Sequence, residues 1–183
     1  GSTTKPSGLG RISAWADNYF TDNSAKWVYG GDQEGNIWRF TFTDEDASDP
    51  VHSVMLLGQA LDGSGRPQPI TTRPELGLVD GSHKVLYVAT GRYLGVKDLT
   101  DPATQTPVGT WAWQQSVYAF KDQGTKLANL RNPANQLVQQ TITELAGGQE
   151  RSVSNNKVDW ATQNGWYVDL NPGNKSPGER VNV

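Results

Sequence analysis

The sequence predicts an all-β protein, and three features support that prediction. Short segments rich in aromatic and β-branched residues recur along the chain, and such residues favour strands. Turn pairs such as Asp80-Gly81 separate some of these segments, as in hairpins. No segment has the apolar periodicity of a long amphipathic helix.

Most of the chain divides into predicted strands and polar connections. Segments 62–69 and 95–109 are predicted loops, because glycine, proline and polar residues dominate them. Segment 127–135 is ambiguous and fits a helical turn that is broken at Pro133. In chain order, the predicted strands are 11–17, 26–31, 36–43, 51–61, 70–79, 84–90, 111–121, 137–145 and 165–170.

The stretch YGGDQEGNIWRF, residues 29–40, predicts a hairpin. Its first strand ends in two glycines, an acidic turn follows, and the second strand then alternates aromatic residues on one face. Gly35 suits the positive φ that a tight turn requires. A charged side chain in a buried strand needs a partner, so we expect Arg39 to form a structural ion pair with Asp32.

The pattern of this hairpin recurs weakly along the chain. VYGG at 28–31 and IWRF at 37–40 have counterparts in VLYVATG at 85–91 and VYAFKD at 117–122. GWYVDL at 165–170 fits a third, partial copy. Such spacing suits four-stranded antiparallel blades stacked around an axis, which is the plan of a β-propeller. The pattern alone fits hairpins of a β-sandwich equally well.

Composition narrows the classes of function. The net charge is −3 and the 16 Lys and Arg residues are scattered, which argues against a nucleic-acid binder. No apolar run is long enough to span a membrane, and the absence of cysteine excludes disulfides and cysteine nucleophiles. Because the chain begins Gly1-Ser2, we expect residues 1–10 to be a tag remnant and lead-in, and 11–183 to be the folded piece of a larger domain.

Candidate catalytic residues are scarce. The only histidines, His52 and His83, lie in a predicted strand and beside a turn, and no serine elbow, Walker loop or dinucleotide fingerprint is present. Trp111 and Trp113 would share a strand face, where they would form core or, if exposed, stack on a sugar ring. The other tryptophans that we assign to the core are Trp38 and Trp166.

The segment GLGRISAWADNYFTDNSAKWVYGGDQEGNIWRF resembles the C-terminal propeller of the PilC/PilY family of type IV pilus tip and biogenesis proteins. The family's hairpin reads Tyr-x-Gly-Asp-x-x-Gly-Asn-hydrophobic-Trp-Arg-Phe, and this chain matches it at 29–40. Further segments resemble later family elements in the same order. These segments are 69–75, 85–94, 115–122, 165–170 and 178–181.

The resemblance implies a partial β-propeller of about two to three four-stranded antiparallel blades from a larger propeller. It implies a non-enzymatic protein of the bacterial cell surface, at the pilus tip or outer membrane. That protein would support pilus extension or oppose retraction, and would contribute to twitching motility and surface attachment. Its partners would be minor pilins and the pilus machinery, with host or abiotic surfaces as candidate targets. Because a partial propeller exposes strand edges and blade faces, we also expect self-association, a swapped assembly or an altered local fold.

Calcium is the one candidate ligand that the resemblance suggests, and no other cofactor is expected. Some family members have a calcium loop just before the hairpin, and here Asp17 and Asp22 would be its ligands. Lys26 stands where the loop would end in an acidic residue, so Asx turns without calcium are the favoured interpretation. A second acidic cluster, expected to be a solvated loop, comprises Asp44, Asp46 and Asp49.

Two alternative functions remain open at this point. A quinoprotein dehydrogenase propeller uses similar repeats, but it also needs a quinone pocket with calcium, and often a vicinal disulfide that this chain cannot form. A glycan-binding propeller would depend on Trp111 and Trp113.

Overall fold

The computed structural model describes Thr4, residues 6–42, 51–95, Asp98, 114–174 and 178–182. Two β-sheets contain most of the regular structure, and the described residues form no α-helix. The prediction of an all-β fold is therefore confirmed.

The first sheet has four antiparallel strands, and each strand pairs with the next one along the chain. The predicted hairpin of residues 29–40 forms its centre. Each of the four corresponds to a predicted strand, with ends displaced by a few residues. The strands are β1 (Leu9–Trp15), β2 (Trp27–Asp32), β3 (Asn36–Phe42) and β4 (Val51–Gln59).

The second sheet has five strands: β5 (Glu75–Val79), β6 (His83–Ala89), β7 (Ser116–Lys121), β8 (Leu137–Gln140) and β11 (Gly165–Asp169). Their spatial order is β5-β6-β7-β11-β8. Strand β11 pairs antiparallel with β7 on one side and parallel with β8 on the other. Between β8 and β11 the chain forms a separate hairpin of β9 (Ile142–Glu144) and β10 (Arg151–Val153).

Three local predictions need correction. Residues 165–170 do not begin a third blade, because β11 completes the second sheet beside β7. The single strand predicted at 137–145 is two strands, β8 and β9, which belong to different sheets. Regular pairing in 70–79 begins only at Glu75. The helical turn of 127–135 is a 3₁₀ helix at Pro133–Asn135, and a second one spans Pro172–Asn174.

The main core lies between the two sheets. The segment joining β4 to β5 contributes Ala60 and Ile70 to it, and both are fully buried. Gly31 allows this close approach, because a Cβ there would lie 2.2 Å from Cγ2 of Ile70. The sheets thus pack face to face as two adjoining blades, and they do not close into a ring. The buried members of the core are Tyr29, Ile37, Leu57, Ala60, Ile70, Leu86, Val88, Tyr118, Phe120 and Leu130.

Candidate functional site

The turn of the 29–40 hairpin is organised by the buried carboxylate of Asp32. Its Oδ1 accepts hydrogen bonds from the backbone N–H of Glu34 at 2.9 Å and of Asn36 at 3.0 Å. Its Oδ2 accepts from Nδ2 of Asn36 at 2.9 Å and from the indole N–H of Trp38 at 3.0 Å. Four hydrogen-bond donors therefore stabilise this carboxylate. Asp32 has a structural role, which is to hold the turn between β2 and β3.

The predicted pair between Arg39 and Asp32 is wrong. Asp32 lies at the turn and faces its N–H groups, whereas Arg39 lies opposite Tyr29 on the sheet face that packs against the second sheet. There Nη1 of Arg39 donates to Oδ1 of Asp122 at 2.9 Å, and the Tyr29 hydroxyl donates to Oδ2 of Asp122 at 2.7 Å. Asp122 follows β7, so this pair joins the two sheets.

The environment of Tyr29 keeps its hydroxyl protonated. Burial raises the pKa of Tyr29, and the hydrogen bond to the Asp122 carboxylate raises it further. Asp122 also accepts the backbone N–H of Gly124 at 2.8 Å, in a turn that resembles the one at Asp32. The Asp-Gln pair shared by 32–33 and 122–123 was the sequence signal that could have identified Asp122.

A second polar cluster lies where β7 and β11 meet the connecting segments. Arg131 contacts the Asp169 carboxylate, with Nη1 donating to Oδ2 at 3.1 Å, and its Nη2 donates to Oγ of Ser116 at 2.7 Å. Its Nε lies 2.6 Å from the carbonyl oxygen of Leu61. The guanidinium carbon also lies 4.6 Å from the ring centroid of Tyr167. Arg131 thereby connects three separate parts of the chain.

Tyr118 and Gln68 complete this cluster inside the core. The Tyr118 hydroxyl donates to Oε1 of Gln68 at 2.6 Å and accepts from Nε of Arg131 at 3.1 Å. Nε2 of Gln68 donates to Ser116 Oγ at 2.8 Å. Burial raises the pKa of Tyr118 to about 12. Burial lowers the pKa of Arg131, but the hydrogen bond to Asp169 and the interaction with Tyr118 raise it by more. The cluster is a hydrogen-bonded structural network in which the Tyr118 hydroxyl stays neutral and Arg131 stays charged at neutral pH.

The two calcium candidates have other partners in this structure. The Asp17 carboxylate lies 2.9 Å from Nζ of Lys84 and 3.9 Å from Nζ of Lys26, and it accepts the indole N–H of Trp15 at 3.0 Å. Asp22 accepts the backbone N–H of Ser24 at 2.8 Å, in an Asx turn. Among the described residues, no three His, Cys, Asp or Glu side chains come together as a metal site. Because two ammonium groups lie beside Asp17, its surroundings fit calcium poorly. Calcium binding at the weak candidates Asp17 and Asp22 stays untested.

The other residues that the sequence singled out lie partly inside and partly outside the described ranges. Within these ranges, His83 is half-buried at the start of β6. Trp38 and Trp166 are half-buried, on β3 and β11. No helix in the described ranges is long and apolar enough to cross a membrane. Outside the described residues lie Asp44, Asp46, Asp49, Trp111, Trp113 and the side chain of His52.

An open groove of about 550 Å³ runs along the outer face of the second sheet. Its floor includes Trp166 of β11, and its walls come from the segment between β10 and β11, with Asn155, Lys157 and Trp160. We call it the indole groove, after Trp160 and Trp166. From the sequence we assigned Trp166 to the core, and no sequence pattern singled out Trp160. The groove depends on how the 154–160 segment folds over β11.

Comparison with known proteins identifies the family. No protein-family model matches the chain. A type IV pilus biogenesis factor PilY1 homolog of Xylella fastidiosa strain Temecula1 is 31% identical, over 100% of this chain and 13% of its own length. The type IV pilus biogenesis factor PilY1 of Pseudomonas aeruginosa strain PAO1 is 28% identical, over 99% of this chain and 18% of its own.

The fold agrees with these sequence matches. The crystal structure of the Pseudomonas aeruginosa PilY1 C-terminal domain, a β-propeller, superposes with a TM-score of 0.73 and 25% identity. That match covers 99% of this chain and 42% of the solved domain. The chain thus spans less than a fifth of the length of the curated relatives it matches. Sequence and fold together confirm the resemblance: the chain belongs to the PilY1 family and corresponds to part of its C-terminal β-propeller domain.

Proposed function

We propose that the chain is a non-enzymatic interaction domain of a type IV pilus biogenesis factor. One observation carries this proposal: nearly the whole chain aligns with relatives that are named as type IV pilus biogenesis factors, and it has the fold of the PilY1 C-terminal domain. The described polar clusters add support, because Asp32, Asp122 and Arg131 are engaged in structural contacts.

The proposal includes a specific role in the pilus cycle. The parent factor would act outside the cytoplasm, at the pilus tip or outer membrane, where it supports extension or opposes retraction. Twitching motility and surface attachment would follow from that role. Minor pilins and the pilus machinery are the proposed partners, with host or abiotic surfaces as candidate targets of attachment.

The test is a count of surface pili by electron microscopy. One strain lacks the part of the factor that corresponds to residues 11–183 of this chain, a second lacks the retraction motor, and a third lacks both. An immunoblot checks the level of the truncated factor. If the proposal holds, pili disappear in the first strain and return in the third. Unchanged pilus number and twitching in the first strain would contradict it.

The enzyme alternative has a direct test of its own. A quinoprotein would bind pyrroloquinoline quinone and shift its absorbance spectrum. We expect no shift when the quinone is added to the chain with calcium. A saturable shift would contradict the non-enzymatic assignment.

A further inference from the structure

The indole groove combines features of a ligand site rather than of a packed surface. Among the described residues, the indole N–H groups of Trp160 and Trp166 make no hydrogen bond, although both rings line the groove and are half-buried. Asn155 and Lys157, at the same groove, are exposed and have no hydrogen bond or ion pair within the described part of the chain. Its volume lies within the range of about 300 to 1,000 Å³ that is usual for small-ligand sites.

The walls of the groove are held in place. The turn that carries Trp160 is fixed by Asp159, whose carboxylate accepts the backbone N–H of Ala161 at 3.0 Å and the hydroxyl of Thr162 at 2.8 Å. The carbonyl oxygen of Trp160 accepts a hydrogen bond from Nζ of the buried Lys121 at 2.7 Å. An ordered wall binds a ligand with less loss of conformational entropy.

The other wall is ordered by Gln140, which is buried. Its Nε2 donates to the carbonyl oxygen of Asn156 at 2.7 Å, and its Oε1 accepts from the backbone N–H of Asn156 at 2.9 Å. Nδ2 of Asn156 in turn donates to the carbonyl oxygen of Gln139 on β8 at 2.9 Å. These bonds hold residue 156 of the 154–160 segment against β8, and the last of them occupies the Gln139 carbonyl of that strand.

We propose that the indole groove binds a saccharide that carries a carboxylate. The indole faces suit the C–H face of a sugar ring, and their N–H groups with the Asn155 carboxamide suit its hydroxyls. Lys157 supplies the cation for a carboxylate, and among the residues that the structure describes no Asp or Glu lines the groove to oppose it.

Another blade of the parent factor is the competing occupant. An apolar blade face laid over this end of the groove would remove water from Lys157 and Asn155 without supplying hydrogen-bond partners, which is unfavourable. The β8–β11 connection that builds this wall also has no counterpart in the first sheet. The wall of the groove is therefore particular to the second sheet, whereas its floor is the face of that sheet.

The test begins with an array of neutral oligosaccharides, their uronate counterparts and sialylated glycans. It is run with the 183-residue chain and with the whole parent factor. The bound uronate or sialoside and its neutral counterpart are then titrated calorimetrically against variants. We expect Trp160→Ala to weaken binding by at least about tenfold, and Lys157→Gln to weaken binding of the acidic sugar by about tenfold while leaving the neutral one unchanged.

Matched controls separate the groove from general surface effects. Phe20→Ala removes an exposed aromatic ring outside the groove, and Lys126→Gln removes an exposed lysine outside the groove. Both variants should bind as the unsubstituted chain does. Near-ultraviolet circular dichroism checks that each variant is folded. Three results would each overturn the proposal. The chain could bind no acidic glycan, or a folded Trp160→Ala variant could bind as well as the unsubstituted chain. The third is that the 183-residue chain binds the glycan and the whole parent factor does not.

Discussion

In the first sheet each strand pairs with its successor along the chain, whereas the second sheet obtains β8 and β11 from segments that follow long connections. Local hydrogen bonds fix the first sheet, as the Asp32 turn shows. The second sheet depends on contacts between residues far apart in sequence, such as Arg131 with Asp169. Neighbouring blades of one propeller are therefore stabilised in different ways.

The largest expected effect is in the second sheet. Asp169→Ala should lower the free energy of unfolding by about 3 kcal/mol, because it leaves the largely buried Arg131 guanidinium without its carboxylate. Urea denaturation of the chain measures the change. Asp159→Ala, in an exposed turn, is the control and should cost much less. A loss below about 1 kcal/mol for Asp169→Ala would show that the cluster is not a long-range anchor.

The backbone of Gly31 in the first sheet lies so close to the side chain of Ile70 that there is no room for a larger residue. Gly31→Ala places a Cβ against Ile70, so we expect a loss of about 1 to 3 kcal/mol in unfolding free energy. Gly63→Ala is the matched control, since no atom of the described residues other than its chain neighbours lies within 4 Å of its Cβ position. Equal stability of the two variants would mean that the β4–β5 segment does not pack between the sheets as described.

The outer face of the first sheet should drive self-association. Ile12 and Val54 are 52% and 54% exposed there, on a face that also carries Val28, Trp38 and Phe40. Val54→Lys should lower the association constant measured by sedimentation velocity. Leu78→Lys replaces a side chain of the same 54% exposure on another surface and should change it less. A monomeric unsubstituted chain would refute the expectation.

The smallest effect concerns pH. The hydrogen bond from Lys84 lowers the pKa of Asp17 below 3.8, so this carboxylate stabilises the fold at higher pH and loses that contribution as the pH falls through its lowered value. The group is exposed, so the change is slight. In Lys84→Met the free energy of unfolding should fall less steeply as the pH is lowered.

The same measurement with and without calcium tests whether Asp17 and Asp22 bind this ion. Stabilisation by calcium that disappears in Asp17→Asn would support a calcium site.

The same contrast explains what the sequence could predict. The first sheet follows from local signals: alternating aromatic residues in 36–42 and turn chemistry at Asp32 and Gly35 identify its central hairpin. The placement of β11 could not be predicted in this way, because GWYVDL is compatible with any blade and its position depends on pairing with β7. The partner of Arg39 was missed for a related reason. Asp122 is distant in sequence, and a nearer carboxylate at Asp32 was available.

The most direct test of the two-blade account is a double-mutant cycle on Arg39 and Asp122. Arg39→Met, Asp122→Ala and the double variant are compared by urea denaturation of the chain. Because the two side chains pair across the sheets at 2.9 Å, the account predicts a coupling free energy above about 1 kcal/mol. Additive losses, with coupling near zero, would contradict the packing of the two sheets as adjoining blades.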